Sequence, residues 1–339
     1  MKEIEDIGIS IIIIGQNEGW KLTKCLQSVY NTIEYNKLSS YEVIYVDSKS
    51  TDDSIQRAIE FTGIKIFKIN GECNAAIARN IGAAESKGEV LFFIDGDIEL
   101  LPDFLSHVLD NDKESLKYEC VAGYIDNIYY NRFNKFIGRE PVGYKKNLPA
   151  KEIKKSFIGG IFLIKRAYWD MVNGMRTKYK KNEDLDLSFR LANRGILFTR
   201  IPFLMGLHHT IDYRNEDRMW GILFSGDLCY PSVMARDHLF NAAKLRHTFR
   251  RQYTAILMLL SFISLVVNYV VFVIIFSFYL ITFLAKVFTN TLNAAINSKN
   301  KVLYYFKRLI FQLFSDILFW IGFFFFYPNE KELSYIKIQ

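Results

Sequence analysis

The segment Glu89-Val90-Leu91-Phe92-Phe93-Ile94-Asp95-Gly96-Asp97 carries the plainest chemistry in this chain. A short apolar strand ends in two carboxylates separated by a glycine. Side chains alternate along a strand, so Asp95 and Asp97 point the same way at its end. Two hard oxygen donors placed there suit Mg²⁺ or Mn²⁺ bridging to phosphate. Gly96 lets a ligand approach the backbone closely. Because Asp-Gly-Asp also suits an ordinary polar turn, its meaning depends on the elements that position it.

Those elements alternate. Ile9-Ser10-Ile11-Ile12-Ile13-Ile14 reads as a buried strand running into the polar turn Gly15-Gln16-Asn17-Glu18. Glu42-Val43-Ile44-Tyr45-Val46-Asp47 is a second strand ending in a carboxylate, and Ser48 to Ser54 is a cap-rich entry into a helix. Ile64 to Phe67 is a third strand, and Asn74 to Ala84 an Ala-rich helix. The pattern predicts an α/β fold, a mostly parallel mixed sheet flanked by helices, with ligands beyond the carboxyl ends of its strands. Gln16, Glu18, Asp47, Arg79, Asp95 and Asp97 then gather near one edge.

In this order the residues resemble the family 2 glycosyltransferases, with their nucleotide-diphospho-sugar transferase fold. The resemblance is carried by Ile14-Gly15-Gln16-Asn17-Glu18, Val46 to Asp52, Ala78-Arg79-Asn80-Ile81-Gly82, Phe93 to Asp97, Gly159 to Arg166 and Asn182 to Leu191. It covers roughly residues 8–205. The family often has Pro where Gly15 stands and an acidic residue where Ser48 stands; neither departure touches a proposed metal ligand or base. The resemblance implies Asp97 as metal ligand, with Asp95 beside it and toward the donor. It implies Asp47 on the nucleoside, Glu18 as a donor contact, and Asp184, next to Glu183, as general base. Arg79 would pair with the diphosphate, as a guanidinium can. Gly160 would let the donor sugar approach the backbone. His208 and His209 are candidates for a third metal ligand or a diphosphate contact.

Plainer roles compete for some of these positions. Asn182 can cap a helix whose first turn then holds Glu183 and Asp184, where acids simply complement the helix dipole. Asp186 and Arg190, four apart, are expected to pair, Leu187 and Leu191 to face the core, and Gly195 to end the helix. Processive synthases of the family carry Gln-x-x-Arg-Trp. The nearest string, Asn215-Glu216-Asp217-Arg218-Met219-Trp220, lacks it, so a single addition is expected.

Half of the 339 residues are hydrophobic and 16% aromatic, with the excess toward the C-terminal end. No charged residue occurs from Tyr253 to Ala285, and a second apolar run, Leu309 to Tyr327, is interrupted by Asp316. Runs of roughly 18 residues or more are long enough to span a bilayer. The first is either one tilted helix or a hairpin turning near Asn268. Lys244, Arg246, Arg250 and Arg251 precede it, and Lys299, Lys301, Lys307 and Arg308 precede the second. A hairpin or a membrane-surface element keeps both basic clusters on one side. Met1 to Asp6 shows no signal-peptide pattern, which places the catalytic part on the cytosolic face. Asn131 to Lys155, polar and basic with Pro141, Gly143 and Pro149, is expected to be a loop.

The net charge of +7 comes without a basic-aromatic nucleic-acid motif and fits anionic lipid head groups. Cys25, Cys73, Cys120 and Cys229 form no C-x-x-C pair, which argues against zinc or a disulfide framework. The sequence therefore predicts a glycosyltransferase domain over 1–245 and a membrane-associated helical region over 246–339. Its partners would be a nucleotide-diphospho-sugar, membrane lipids and a lipid-linked, membrane-borne acceptor, and its reaction metal-dependent and inverting. A polyprenyl-phosphate sugar synthase is the alternative within the class. A catalytically idle membrane scaffold is the alternative outside it, against which Asp95, Asp97 and Asp184 stand.

Overall fold

The computed structural model describes residues 8–339 apart from 112–114, 132, 143–150, 156–158, 212–215 and 295–300. Met1 to Asp6, Asn215 and Lys299 therefore lie outside the described residues. The chain divides into two units: Met1–Asp212 with Asn329–Gln339, and Tyr213–Pro328.

The first unit begins as the alternation predicts. β1 (Ile9–Gly15), α1 (Trp20–Asn36), β2 (Tyr41–Asp47), α2 (Ser54–Ile59), β3 (Ile64–Ile69), α3 (Ala75–Ala84) and β4 (Val90–Asp95) follow one another. β1 pairs in parallel with both β2 and β4, and β2 with β3. The strand order 3-2-1-4 reverses direction at β1, so a crevice opens at the carboxyl ends of β1 and β4. A central parallel strand is covered on both faces, which explains the unbroken isoleucine run. Ile9, Ile11, Ile12 and Ile13 are fully buried. α3 lies so close to this strand that a Cβ on Gly82 would stand 2.2 Å from Ile12 Cγ2.

Beyond the crevice the sheet becomes mixed, with antiparallel pairs and a parallel pair. β5 (Ile98–Leu100), α4 (Phe104–Val108), β6 (Cys120–Tyr130), β7 (Phe136–Val142), β8 (Ile153–Lys155), β9 (Phe162–Lys165), α5 (Arg166–Met171), α6 (Glu183–Ala192) and β10 (Phe198–Ile211) complete it. The stretch expected to be a loop thus contains two strands. β9 covers β6 only at Cys120 and Val121, and β7 pairs with β6 from Ile125 to Tyr130. An edge with unpaired backbone groups recruits a partner even from a polar segment. Residues 143–150 of that stretch lie outside the described residues.

The second unit is helical: α7 (Glu216–Phe224), α8 (Tyr230–Asp237), α9 (Ala242–Val267), α10 (Tyr269–Ala294) and α11 (Lys301–Phe325). Three of its helices, over Lys244–Val267, Tyr269–Thr291 and Val302–Phe325, are long and apolar enough to cross a membrane. The first long apolar run is broken at Asn268, where the backbone is extended. The final segment returns to the first unit, where β11 (Tyr335–Lys337) pairs antiparallel with β3. Thr177 Oγ1 donates to Glu330 Oε2 at 2.9 Å, and Lys331 N donates to Thr177 Oγ1 at 2.6 Å. The boundary predicted at 245 thus falls at 212, and the tail belongs with the sheet.

Candidate active site

Two turns at the carboxyl edge are laced together. Asn17 and Lys49 both take left-handed backbone conformations. Asn17 N donates to Ser50 Oγ at 2.9 Å, Asn17 Oδ1 accepts from Thr51 N at 2.7 Å, and Glu18 N donates to Ser54 Oγ at 3.1 Å. The turn after β1 is thereby fixed to the turn after β2, which sets Glu18. Asp47, at the end of β2, is fully buried. Its carboxylate accepts from Ser50 N at 2.9 Å and from Tyr45 Oη at 3.1 Å.

β4 delivers Asp95 to its end, and Gly96 N donates to Ile14 O at 2.7 Å. This bond turns the chain over the end of β1, and Asp97 follows. A Cβ at Gly96 would stand 3.2 Å from Ile14 O and 3.3 Å from Glu18 Cγ, so the missing side chain admits protein rather than ligand. Asp97 Oδ2 lies 3.0 Å from His208 Nε2, and His208 Nδ1 lies 2.9 Å from Asn127 Oδ1. Strand pairing makes this meeting: β10 runs antiparallel to β5 with His208 opposite Ile98, and parallel to β6 with His208 opposite Asn127. His209, the next residue on the strand, faces the other way. Its Nε2 lies 2.7 Å from Glu99 Oε2, and its Nδ1 lies 3.0 Å from Tyr130 Oη. Of the two side chains only that of His208 meets Asp97, while His209 N donates to Asp97 O at 2.9 Å.

Arg79, on α3, is 2% exposed and bridges two carboxylates, Asp95 Oδ1 at 2.7 Å and Glu183 Oε1 at 3.0 Å. Its guanidinium is spent on positioning, not turned to solvent. Gly160 makes room for it, since a Cβ there would stand 2.5 Å from Arg79 Nη2. The glycine that the family pattern assigns to the donor sugar thus also holds space for the arginine. Glu183 and Asp184 open α6. Asn182 precedes them in a left-handed conformation and makes no side-chain cap. Asp184 Oδ1 accepts from Leu185 N at 2.8 Å. Arg190 Nε donates to the buried Asp186 at 2.7 Å, and Leu187 and Leu191 are fully buried, as the spacing predicts.

The electrostatics separate these acids. Burial raises both Glu183 and Asp184 above the ordinary carboxylate range, and the Arg79 charge only partly offsets it. Burial and the charge of Asp97 raise Glu18, against the pull of Lys21. Burial lowers His208, but its hydrogen bond to Asp97 and the Asp97 charge outweigh that and hold it above the usual value. Burial lowers His209, against Glu99.

Asp97 and His208 are the residues whose donor atoms could hold a divalent cation. Both ring nitrogens of His208 face oxygen atoms, Asp97 Oδ2 and Asn127 Oδ1. Among the described residues no group of three or more His, Cys, Asp or Glu forms a metal cluster. A phosphate-bridging ion needs no such cage, because one or two carboxylates and the substrate's own phosphates complete its shell. The imidazole favours Mn²⁺ over Mg²⁺.

A strand order that reverses at β1, with acids gathered beyond the strand ends, is the arrangement in which open α/β sheets hold their ligands. Residues 10–172 match the family model described as glycosyl transferase family 2. That match takes in a little under half of the chain, from within β1 to just past α5. Human polypeptide N-acetylgalactosaminyltransferase 13 is 28% identical over 216 residues, which take in 55% of this chain and 38% of that protein. Glycosyltransferase AglE of Haloferax volcanii is 34% identical over 93 residues, 26% of this chain and 30% of that one. The chain thus spans well under half the length of these relatives. Among solved structures, S. aureus TarS 1-349 superposes with a TM-score of 0.48 at 14% identity, covering 72% of each chain. The family match ends before Glu183, so the roles of Asp184 and His208 rest on geometry.

Proposed function

We propose that this chain is a glycosyltransferase that moves a sugar from a nucleotide-diphospho-sugar to a lipid-linked, membrane-borne acceptor, with inversion and with Mg²⁺ or Mn²⁺. The observation that carries the reading is the crevice at β1 and β4, where Asp97 meets His208 while Arg79 ties Asp95 to Glu183. Asp97 and His208 would hold the ion, which when bound supplies positive charge for the departing diphosphate. Asp47 and Glu18 would hold the nucleoside side of the donor. Asp95, more exposed than Arg79, would face the donor ribose or sugar. The anomeric carbon–oxygen bond to the diphosphate breaks as the acceptor oxygen bonds to that carbon from the opposite face. Asp184 takes the acceptor's proton. Burial suits it to that task, since a base above the ordinary aspartate range holds a proton better near neutrality. The apolar helices confine the enzyme to the plane of its acceptor, with the catalytic unit on the cytosolic face.

The named activity of the polypeptide relatives makes an N-acetylhexosamine nucleotide the first donor to assay. Transfer to lipid-linked glycan acceptors, measured with Mn²⁺ and again in EDTA, tests the proposal. Full activity in EDTA overturns the metal. Transfer to bare polyprenyl phosphate in preference to lipid-linked glycan overturns the acceptor.

A further inference from the structure

The tail fixes a parity. β11 pairs with β3, Thr177 holds Glu330 and Lys331, and Tyr335 Oη donates to Glu85 at 2.5 Å. Residues on either side of the helical unit therefore share one sheet, and one sheet lies on one side of a membrane. The chain between them crosses the bilayer an even number of times. Three candidate spans cannot all be spans.

α9 and α10 act together. They form an antiparallel hairpin about Asn268, in which Lys286 Nζ donates to Arg251 O at 2.9 Å and to Thr254 Oγ1 at 3.0 Å. Met258 on α9 packs with Tyr279, Phe283 and Val287 on α10. Both reach the same depth. Cations mark the base: Lys244, Arg246, Arg250 and Arg251 on α9, and Lys286 on α10. From that base to the turn each arm is charge-free for roughly 16 residues, or about 25 Å of helix. The hydrocarbon core is about 30 Å thick. The turn itself carries no charge. Val266 and Val267 are 89% and 79% exposed, and Tyr269 and Val270 are also exposed. Asn268 Oδ1 accepts from Val270 N at 2.8 Å, and Asn268 N donates to Ser264 O at 2.8 Å. These bonds pair two of the turn's backbone N–H groups internally, as hydrocarbon favours.

α11 differs. Asp316 is fully buried and accepts from Thr254 Oγ1 at 2.9 Å and from Gln312 Nε2 at 2.7 Å. Thr254 stands at the hairpin's base. Phe306, Ile310, Leu313, Ile317, Ile321 and Phe324 recur at helical spacing along the whole helix, and all are exposed. The hairpin and α11 also border an apolar cavity of about 800 Å³, lined by Met258, Phe276 and Leu313 among others.

We propose, resting on the reading that this chain is membrane-bound, that it is monotopic. The α9–α10 hairpin dips into the bilayer and returns to the same face, its charge-free arms shorter than the hydrocarbon core, and α11 lies along that face with its apolar side among acyl chains. The test uses the full chain in native membranes on a Cys73→Ser background. Single reporters Tyr35→Cys, Val267→Cys, Val270→Cys and Ile338→Cys are labelled with an impermeant maleimide from either face. The Tyr35→Cys and Ile338→Cys proteins should label from one and the same face. The Val267→Cys and Val270→Cys proteins should label from neither, and then fully once detergent is added. Labelling of the turn from the face opposite Tyr35→Cys overturns the re-entrant hairpin. Labelling of Ile338→Cys from that opposite face overturns the parity. Ready labelling of all four from one face without detergent removes the hairpin from the bilayer, and the membrane reading beneath the proposal fails with it.

Discussion

Asp184 shows how burial gives a residue two opposed effects. Its acid is held above the ordinary range, so its charge costs stability near neutrality while it readies the group as a base. A group raised in the folded state favours folding at low pH and loses that contribution as pH rises through its folded value. Asp184→Asn should therefore melt higher than wild type at pH 7, with the difference closing in acid, and should lose transfer by about 10²–10⁴-fold. The acid limb of the wild-type rate profile should lie above the ordinary aspartate value. Equal melting at pH 7 would contradict the raised value, and equal loss of donor affinity would make Asp184 a donor ligand. Arg79 makes a second prediction. Arg79→Met leaves two carboxylates without their cation and should destabilise the fold by about 3 kcal/mol, the low end for a broken buried pair. The low end applies because Asp95 is 39% exposed and water screens it. Thermal melting of the solubilised chain checks this.

At the scale of elements, the sequence shows what is local and hides what is paired. The Asp-Gly-Asp strand, the isoleucine strand and the Asp186–Arg190 pair could be read because each signal lies within a few residues. The His208–Asn127–Asp97 chain could not, since it depends on β10 lying between β5 and β6. His208 and His209 also looked equivalent, but the alternation of β10 turns their side chains to opposite faces. β7 and β8 were hidden because their sequence is polar, and it is the open edges of β6 and β10 that recruit them. The bridging role of Arg79 was also hidden, because its partners lie on β4 and α6. Close packing at this scale is testable at Gly82. Gly82→Ala places a methyl 2.2 Å from a methyl of the central strand, inside the core. It should cost about 1–3 kcal/mol, and Ile12→Ala, which removes that methyl, should cost less in the Gly82→Ala background than in wild type. Additive losses in urea unfolding would show that the two residues do not meet.

Across the whole molecule, the tail matters most. A chain cut after Asn329 leaves β3 as a bare edge and removes the Glu330 and Lys331 contacts to Thr177. Bare edges invite strand pairing between molecules, so this variant should melt lower and aggregate sooner than wild type. Unchanged melting and solubility would show that β11 contributes little to the sheet.

The central claim is that Asp97 and His208 take a divalent ion together with a nucleotide at the crevice of β1 and β4. Calorimetric titration of the detergent-solubilised full chain with a panel of nucleoside diphosphates, with Mn²⁺ and then with EDTA, tests it most directly. The account predicts that one nucleoside diphosphate binds with Mn²⁺, that EDTA abolishes the heat, and that Asp97→Asn and His208→Asn each weaken binding while the protein still melts cooperatively. Undiminished binding in EDTA, or in both variants, would contradict it.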